Sequence, residues 1–189
     1  MSIRQAGEGD TSSVARLVLQ AIQDIASQLT GETDERDVLR RLEAFIDAEG
    51  NRFSRSCILV KEEDGRPVGM ILGYRGSEAE RLYEPVLRHL RRKSGNASVT
   101  IDEEADEDEY YIDALAVDPS HQGKGYAKQL IAAAESRARE LGCDKIGLNV
   151  DLTNEGARAL YAKLGFRADK EISINRKPFR HMVKSLAPA

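Results

Sequence analysis

YYIDALAV at residues 110–117 runs directly into DPSHQGKGYAKQL at residues 118–130. The first stretch has the aromatic and apolar content of a strand, and Asp118-Pro119 closes it. Gly123 and Gly125 then stand two apart in front of a helical pattern in which Leu130, Ile131, Ala134 and Ala138 share one face. A loop of so little bulk at a helix start leaves backbone N–H groups unpaired where the helix dipole is positive. Successive amides there form a concavity that suits an anion such as a pyrophosphate.

Two better-known phosphate motifs are excluded by named residues. In a P-loop ending at Gly123 the first glycine would fall on Asp118, and the Ser or Thr on Gly125. A dinucleotide fingerprint would need a small residue at 128, which is lysine. Its glycines would also lie at the end of the strand, whereas here they sit several residues beyond it.

Outward from this stretch the chain reads as alternating strands and helices. Ile3 and Arg4 fit a short first strand. Asp10 or Thr11 can cap a helix running to about Gln28, and a second helix is expected from about Asp34 to Ala48. Residues 56–76 give two strands around the turn signal Asp64-Gly65. A helix over about 77–93 follows, then the acidic run DEEADEDE at 102–109. After the glycine loop come a helix to about Leu141, a strand at 145–150 and a helix from about Asn154 to Leu164. Two last strands are expected, at 166–174 and 180–186. The pattern implies one mixed α/β domain over residues 1–189, with a helical and acidic insertion at about 75–109.

The 189 residues are long enough to bury a core without staples. A formal net charge of -4 gives no general case for nucleic-acid or membrane-surface binding. Cys57 and Cys143 form no metal-site or disulfide pattern, so both are expected as reduced thiols. The N-terminus shows no apolar leader and no apolar run approaches a membrane span, which makes a cytoplasmic location the expectation.

From Gln122 the stretch reads Q-G-K-G-Y-A, matching Q/R-x-x-G-x-G/A. It follows Leu-Ala-Val-Asp-Pro and precedes a helix, a strand, and then Asn154-Glu155-Gly156-Ala157-Arg158-Ala159-Leu160-Tyr161 with Lys163-Leu164-Gly165-Phe166. This ordered series, over about residues 110–166, resembles the GCN5-related N-acetyltransferases (GNAT). The resemblance implies a central mixed, mostly antiparallel sheet of about seven strands flanked by helices.

It also implies roles at matching positions. Gln122, Gly123, Lys124, Gly125, Tyr126 and Ala127 would hold the pyrophosphate of acetyl-coenzyme A, mostly through backbone amides. Leu115, Ala116 and Val117 would pair with its pantetheine arm, and an amide there would polarise the thioester carbonyl. Asn154 would contact the same arm, and Asn is also a good helix N-cap. Tyr161 would donate to the departing thiolate, as a phenol can at neutral pH. No side-chain nucleophile and no metal is implied, and His121 reads as a surface residue.

The general base is the open position. The family often has a glutamate in the slot that falls here on Tyr111. Glu109, Tyr111 and Asp113 share one face of a strand, so Glu109 or Asp113 could take the proton, as could a water chain. The acidic run reads as a solvated face or as a rim that attracts a cationic amine. A small-molecule amine is the expected acceptor. An N-terminus or lysine of a protein, and a non-catalytic acyl-coenzyme A sensor, are the rival readings. The family also suggests a homodimer.

Overall fold

The computed structural model describes residues 2–188. Seven strands form a single sheet: β1 (Ile3–Gln5), β2 (Ile58–Glu63), β3 (Arg66–Arg75), β4 (Tyr110–Val117), β5 (Lys145–Asp151), β6 (Arg167–Ile174) and β7 (Lys177–Ser185). Six helices flank it: α1 (Thr11–Ile22), α2 (Ile25–Thr30), α3 (Glu35–Asp47), α4 (Ala79–Ser94), α5 (Tyr126–Glu140) and α6 (Glu155–Lys163). The strand order is β1-β2-β3-β4-β5-β7-β6. All neighbouring pairs are antiparallel except β4 and β5. No described helix is long and apolar enough to cross a membrane.

Each face of the sheet carries its own core. On one side α1–α4 bury Val14, Val18, Leu42, Ile46 and Val86 against Ile58, Val60, Met70 and Leu72. On the other, α5 buries Leu130, Ile131, Ala134 and Ala138 against Ile71, Ile112, Ile146 and Leu148. These α5 residues are the helical face expected from the sequence. Burial of this apolar area is the main favourable term holding the layers together.

Two irregularities open the centre of the sheet. The β3–β4 register shifts so that Leu72 faces Ala114 while Gly73 faces Ile112, leaving Asp113 as an extra residue. Tyr110 and Ile112 therefore pack in the α5-side core, but Ala114 and Ala116 pack in the other. Strict alternation would have kept all four on one face. Beyond the bulge β4 leaves β5 as well: their pairing covers only Tyr110–Ile112. From Asp113 onward the two strands splay.

Three expectations are corrected. The first helix does not run to Gln28. Gln23 takes φ 46 and ψ −120, which stops α1 at Ile22, and α2 restarts at Ile25. The last strand begins at Lys177, not 180, because Asn175 and Arg176 both take positive φ and make a tight hairpin without glycine. Pro178 is accommodated at the hairpin end of that strand. The acidic run is not a uniformly solvated face: Glu103, Glu107 and Asp108 are exposed, but Glu109 is buried and the Glu104 side chain is only 7% exposed.

Candidate active site

The splay between β4 and β5 makes a cleft of about 540 Å³. Its walls include Asp113, Ala114 and Leu115 from β4, Asn149 and Val150 from β5, Asn154, Ala157 and Tyr161 from α6, and Ile22 to Ile25 at the helix break. Asn154 caps α6 by accepting from the Ala157 N–H at 3.0 Å, so its capping and lining roles coexist. Tyr161 stands edge-on to Phe166, with ring centres 5.8 Å apart. Its hydroxyl has no hydrogen-bond partner among the described residues. Burial pushes its pKa up to about 12, which keeps it a proton donor at neutral pH.

The glycine loop lies past the end of β4, outside the walls of this cleft. Gly123 and Gly125 have φ 78 and 79, a conformation that favours glycine, and the space a Cβ would enter at either is open. Gly125 forms the N-cap of α5. Gln122 donates to the Val117 carbonyl at 3.2 Å, and so does Gln20 from α1 at 2.9 Å. Glu63, at the end of β2, collects this region. It accepts from Tyr126 at 2.8 Å and lies 3.3 Å from the Lys124 ammonium, and these contacts hold its pKa down. His121 is half-buried beside Asp118 and Glu63, away from the cleft. Ala116 and Val117 point into opposite cores, so only their backbones could serve a ligand.

A second cavity of about 310 Å³ lies on the insertion side. Arg52, Asp102 and Glu104 line it together with Ile25, Leu29, Leu90 and Ile101. Gln28 of α2 bonds to Asn175 in the β6–β7 turn, whose N–H also donates to Asp102 at 2.7 Å.

The wall between the cavities is a buried charge cluster. Arg52 is only 2% exposed. It donates twice to Asp113, at 2.9 and 2.8 Å, and once to Glu104, at 2.5 Å. Tyr74 adds a bond to Asp113 at 2.8 Å, and Tyr83 one to Glu104 at 3.1 Å. One guanidinium thus serves two carboxylates. Burial is the first cause of a raised Glu104 pKa, to about 7; Arg52 opposes the rise and the neighbouring Asp113 adds to it. Asp113 lines the cleft, but both its oxygens are taken.

Glu109 is placed differently. It lines neither cavity and is fully enclosed, with His181 Nε2 at 3.0 Å and the Asp106 N–H at 3.0 Å. Asp106, Glu109 and His181 lie close enough to suggest a metal site. However, Lys170 at 2.7 Å and Lys145 at 3.8 Å already supply Asp106 with positive charge.

Sequence reasoning did not find Arg52, Glu63, Glu104, Asn149 or His181. Glu104 is one acid among several in its run, and the others meet through pairings that no local pattern reveals.

Comparison with known proteins agrees with this architecture. The model of the acetyltransferase (GNAT) family matches residues 19–166. A solved structure described as "The crystal structure of acetyltransferase" is 31% identical, with a TM-score of 0.82, covering 99% of this chain and all of that one. The chain belongs to the acetyltransferase (GNAT) family. Among curated relatives, GCN5-related N-acetyltransferase 4, chloroplastic, of Arabidopsis thaliana is 47% identical over 60 residues, 32% of this chain and 21% of that protein. N-alpha-acetyltransferase MAK3 of the same plant is 37% identical over 62 residues, 33% of each. The chain therefore spans a third or less of the length of these two curated relatives.

Proposed function

We propose that the chain moves an acetyl group from acetyl-coenzyme A to a primary amine of a small molecule, directly and within a ternary complex. The observation that carries this reading is a pair of cavities that flank the Arg52 cluster and share Ile25 in their linings, one holding Tyr161 and the other Glu104, so that an amine in one can meet a thioester in the other.

The donor side fits the cofactor. The freed edge of β4 beyond Asp113 offers backbone groups to an extended amide-bearing arm. The open loop at Gly123 and Gly125 offers amides to a pyrophosphate. Bound acetyl-coenzyme A supplies the acetyl group as an activated thioester. The β4 amides stabilise negative charge that builds on its carbonyl oxygen. Tyr161 gives its hydrogen bond at the sulfur as the carbon–sulfur bond breaks.

On the acceptor side Glu104 takes the place that Glu109 and Asp113 were expected to fill. Asp113 is held by Arg52 and Tyr74, and Glu109 by His181. Glu104 faces the second cavity with a pKa near neutrality, suited to taking a proton from an ammonium directly or through water. The cluster and Asp102 together carry more negative than positive charge, which favours a cationic amine.

The bridge from Gln28 to Asn175 ties α2 to the β6–β7 turn in the lining of this cavity, which supports a small acceptor over a polypeptide that would need an uninterrupted groove. The N-alpha-acetyltransferase relatives favour the second reading, a protein N-terminus. Their alignments span at most 62 residues, too few to include both Ile25 and Asn175 of the second cavity. A screen of small amines and peptides with thiol release as readout separates these readings. Small amines should release thiol well above background while peptides stay silent, and Tyr161→Phe should lower the rate about tenfold or more. Active peptides beside silent small amines would reverse the assignment. Binding of acetyl-coenzyme A without any release would leave a sensor.

A further inference from the structure

Asn149 and His181 stand directly opposite each other on β5 and β7. The Asn149 amide donates to the Glu104 backbone carbonyl at 3.0 Å and to the Tyr111 hydroxyl at 3.0 Å. A carbonyl can only accept, so that end of the side chain is the NH₂ group. The other end is therefore an acceptor, and His181 Nδ1, 2.7 Å away, must carry hydrogen. This leaves His181 Nε2 facing Glu109 Oε2 at 3.0 Å, with one proton to share between them. Glu109 Oε1 in turn accepts from the Asp106 N–H at 3.0 Å. A chain of defined direction thus runs from Glu109 through His181 and Asn149 to the backbone of Glu104.

The surroundings hold this chain in one arrangement. His181 and Glu109 are enclosed, at 0% and 1% exposure. A Cβ on Gly147 would lie 2.1 Å from Glu109 Oε2, so only glycine leaves room for the carboxylate. A Cβ on Gly76 would lie 1.7 Å from the Asp106 carbonyl, so the same segment is pressed against β3's end as well. Glu104, in contrast, belongs to a segment without helix or strand, 15 residues long from Gly95 to Glu109. Its side chain meets Arg52 and Tyr83, and its backbone meets Asn149.

We infer that Asn149, oriented by the His181–Glu109 pair, is a positioning residue that fixes Glu104 at the wall between the two cavities. A carboxylate that must meet an ammonium in one geometry loses rate when its backbone drifts, even when its charge and the donor site are intact. The rate consequence rests on the acetyl-transfer reading; the tether itself does not.

Two substitutions at one position separate positioning from mere packing. His181→Asn keeps an amide donor near the Nδ1 place, so Asn149 stays oriented, but leaves Glu109 without its partner. His181→Gln keeps a donor near the Nε2 place for Glu109 but releases Asn149. Positioning therefore predicts opposite rankings. His181→Asn should be the less stable to heat yet retain kcat within about threefold. His181→Gln should melt higher yet lose at least tenfold in kcat, with the Kd for acetyl-coenzyme A within twofold of the parent.

Hydrogen exchange of the Asn149 side-chain amide, which holds the Glu104 carbonyl and the Tyr111 hydroxyl, gives a readout free of turnover. Exchange there should quicken tenfold or more in His181→Gln and remain near the parent in His181→Asn. If the stranded Glu109 unfolds His181→Asn, the double variant with Glu109→Gln removes the buried charge, and the kcat and exchange rankings against His181→Gln still apply. Activity that simply follows melting temperature, or unchanged exchange in His181→Gln, would overturn the inference. Altered exchange in a protein that acetylates nothing would leave the tether standing and sink the acetyl-transfer reading alone.

Discussion

The proposed donor and acceptor sides of this molecule are built in different ways. The donor side comes mostly from one run of chain, from Asp113 to Tyr161, with Ile22 to Ile25 completing the cleft, and offers mainly backbone: a strand edge freed by a bulge, a loop with two positive-φ glycines and a helix start. The acceptor side is made of side chains from places far apart. Arg52 comes from the segment after α3, Tyr83 from α4, Glu104 from the insertion, Asn149 from β5 and Asn175 from the β6–β7 turn. Backbone recognition suits a ligand that never changes. A side-chain cluster can be re-cut for a different acceptor while the donor side stays as it is.

Substitutions on the two sides should therefore fail in different ways. The largest effect is expected from Glu104→Gln, which removes the proposed base and leaves its shape. Steady-state kinetics should show kcat/KM lowered by about 100-fold or more, with acetyl-coenzyme A binding unchanged. Gly147→Ala comes next and acts on stability. Its methyl group displaces Glu109 from His181, and breaking a buried pair costs about 3 kcal/mol. Thermal melting should fall by roughly 6–12 °C for a chain of this size.

On the donor side, Gly125→Ala places a side chain at φ 79, a strain of about 1–2 kcal/mol. A loop that relaxes when free must regain that shape to bind. Calorimetry should show acetyl-coenzyme A bound about tenfold more weakly, while KM for the amine is unchanged. The smallest effect is expected from Asn175→Ala, which removes the side-chain bridge to Gln28 and leaves the backbone bond to Asp102 in place. It should shift the amine KM by about twofold, the scale of one exposed hydrogen bond. Longer amines should gain relative to short ones.

The same division explains what could be read from the sequence. YYIDALAV, the glycine loop and the helix from Asn154 are local patterns, and the strands and helices they specify are present. The hairpin at Asp64-Gly65 was legible because both residues favour positive φ. The turn at Asn175-Arg176 was not, because Arg176 carries no such signal. The α1 break at Gln23 was hidden by an apolar face that continues across it from Ile22 to Ile25. Nor could the sequence distinguish Glu104 and Glu109, which turn inward, from Glu103 and Glu107, which do not. Their burial depends on Arg52 and His181, residues separated from them by 52 and 72 positions.

The pH dependence tests the acceptor side further. Glu104 must be ionised to accept a proton, and its pKa is raised to about 7, so activity should rise with pH through that value. Its effect on stability has the opposite sense. A carboxyl raised from its ordinary 4.5 contributes stability fully below pH 4.5 and loses that contribution as pH climbs through about 7. Tyr161, held near 12, should keep its proton throughout this window.

The central claim is that Glu104, beside Arg52, takes the proton of the acceptor in the second cavity, and the pH profile of kcat/KM for the best amine tests it most directly. Under saturating acetyl-coenzyme A, the parent should show a rising limb of unit slope near pH 7. Glu104→Gln should show a low profile from which that limb is missing. A limb of the same position and slope in the variant would assign the proton to another group and contradict the account.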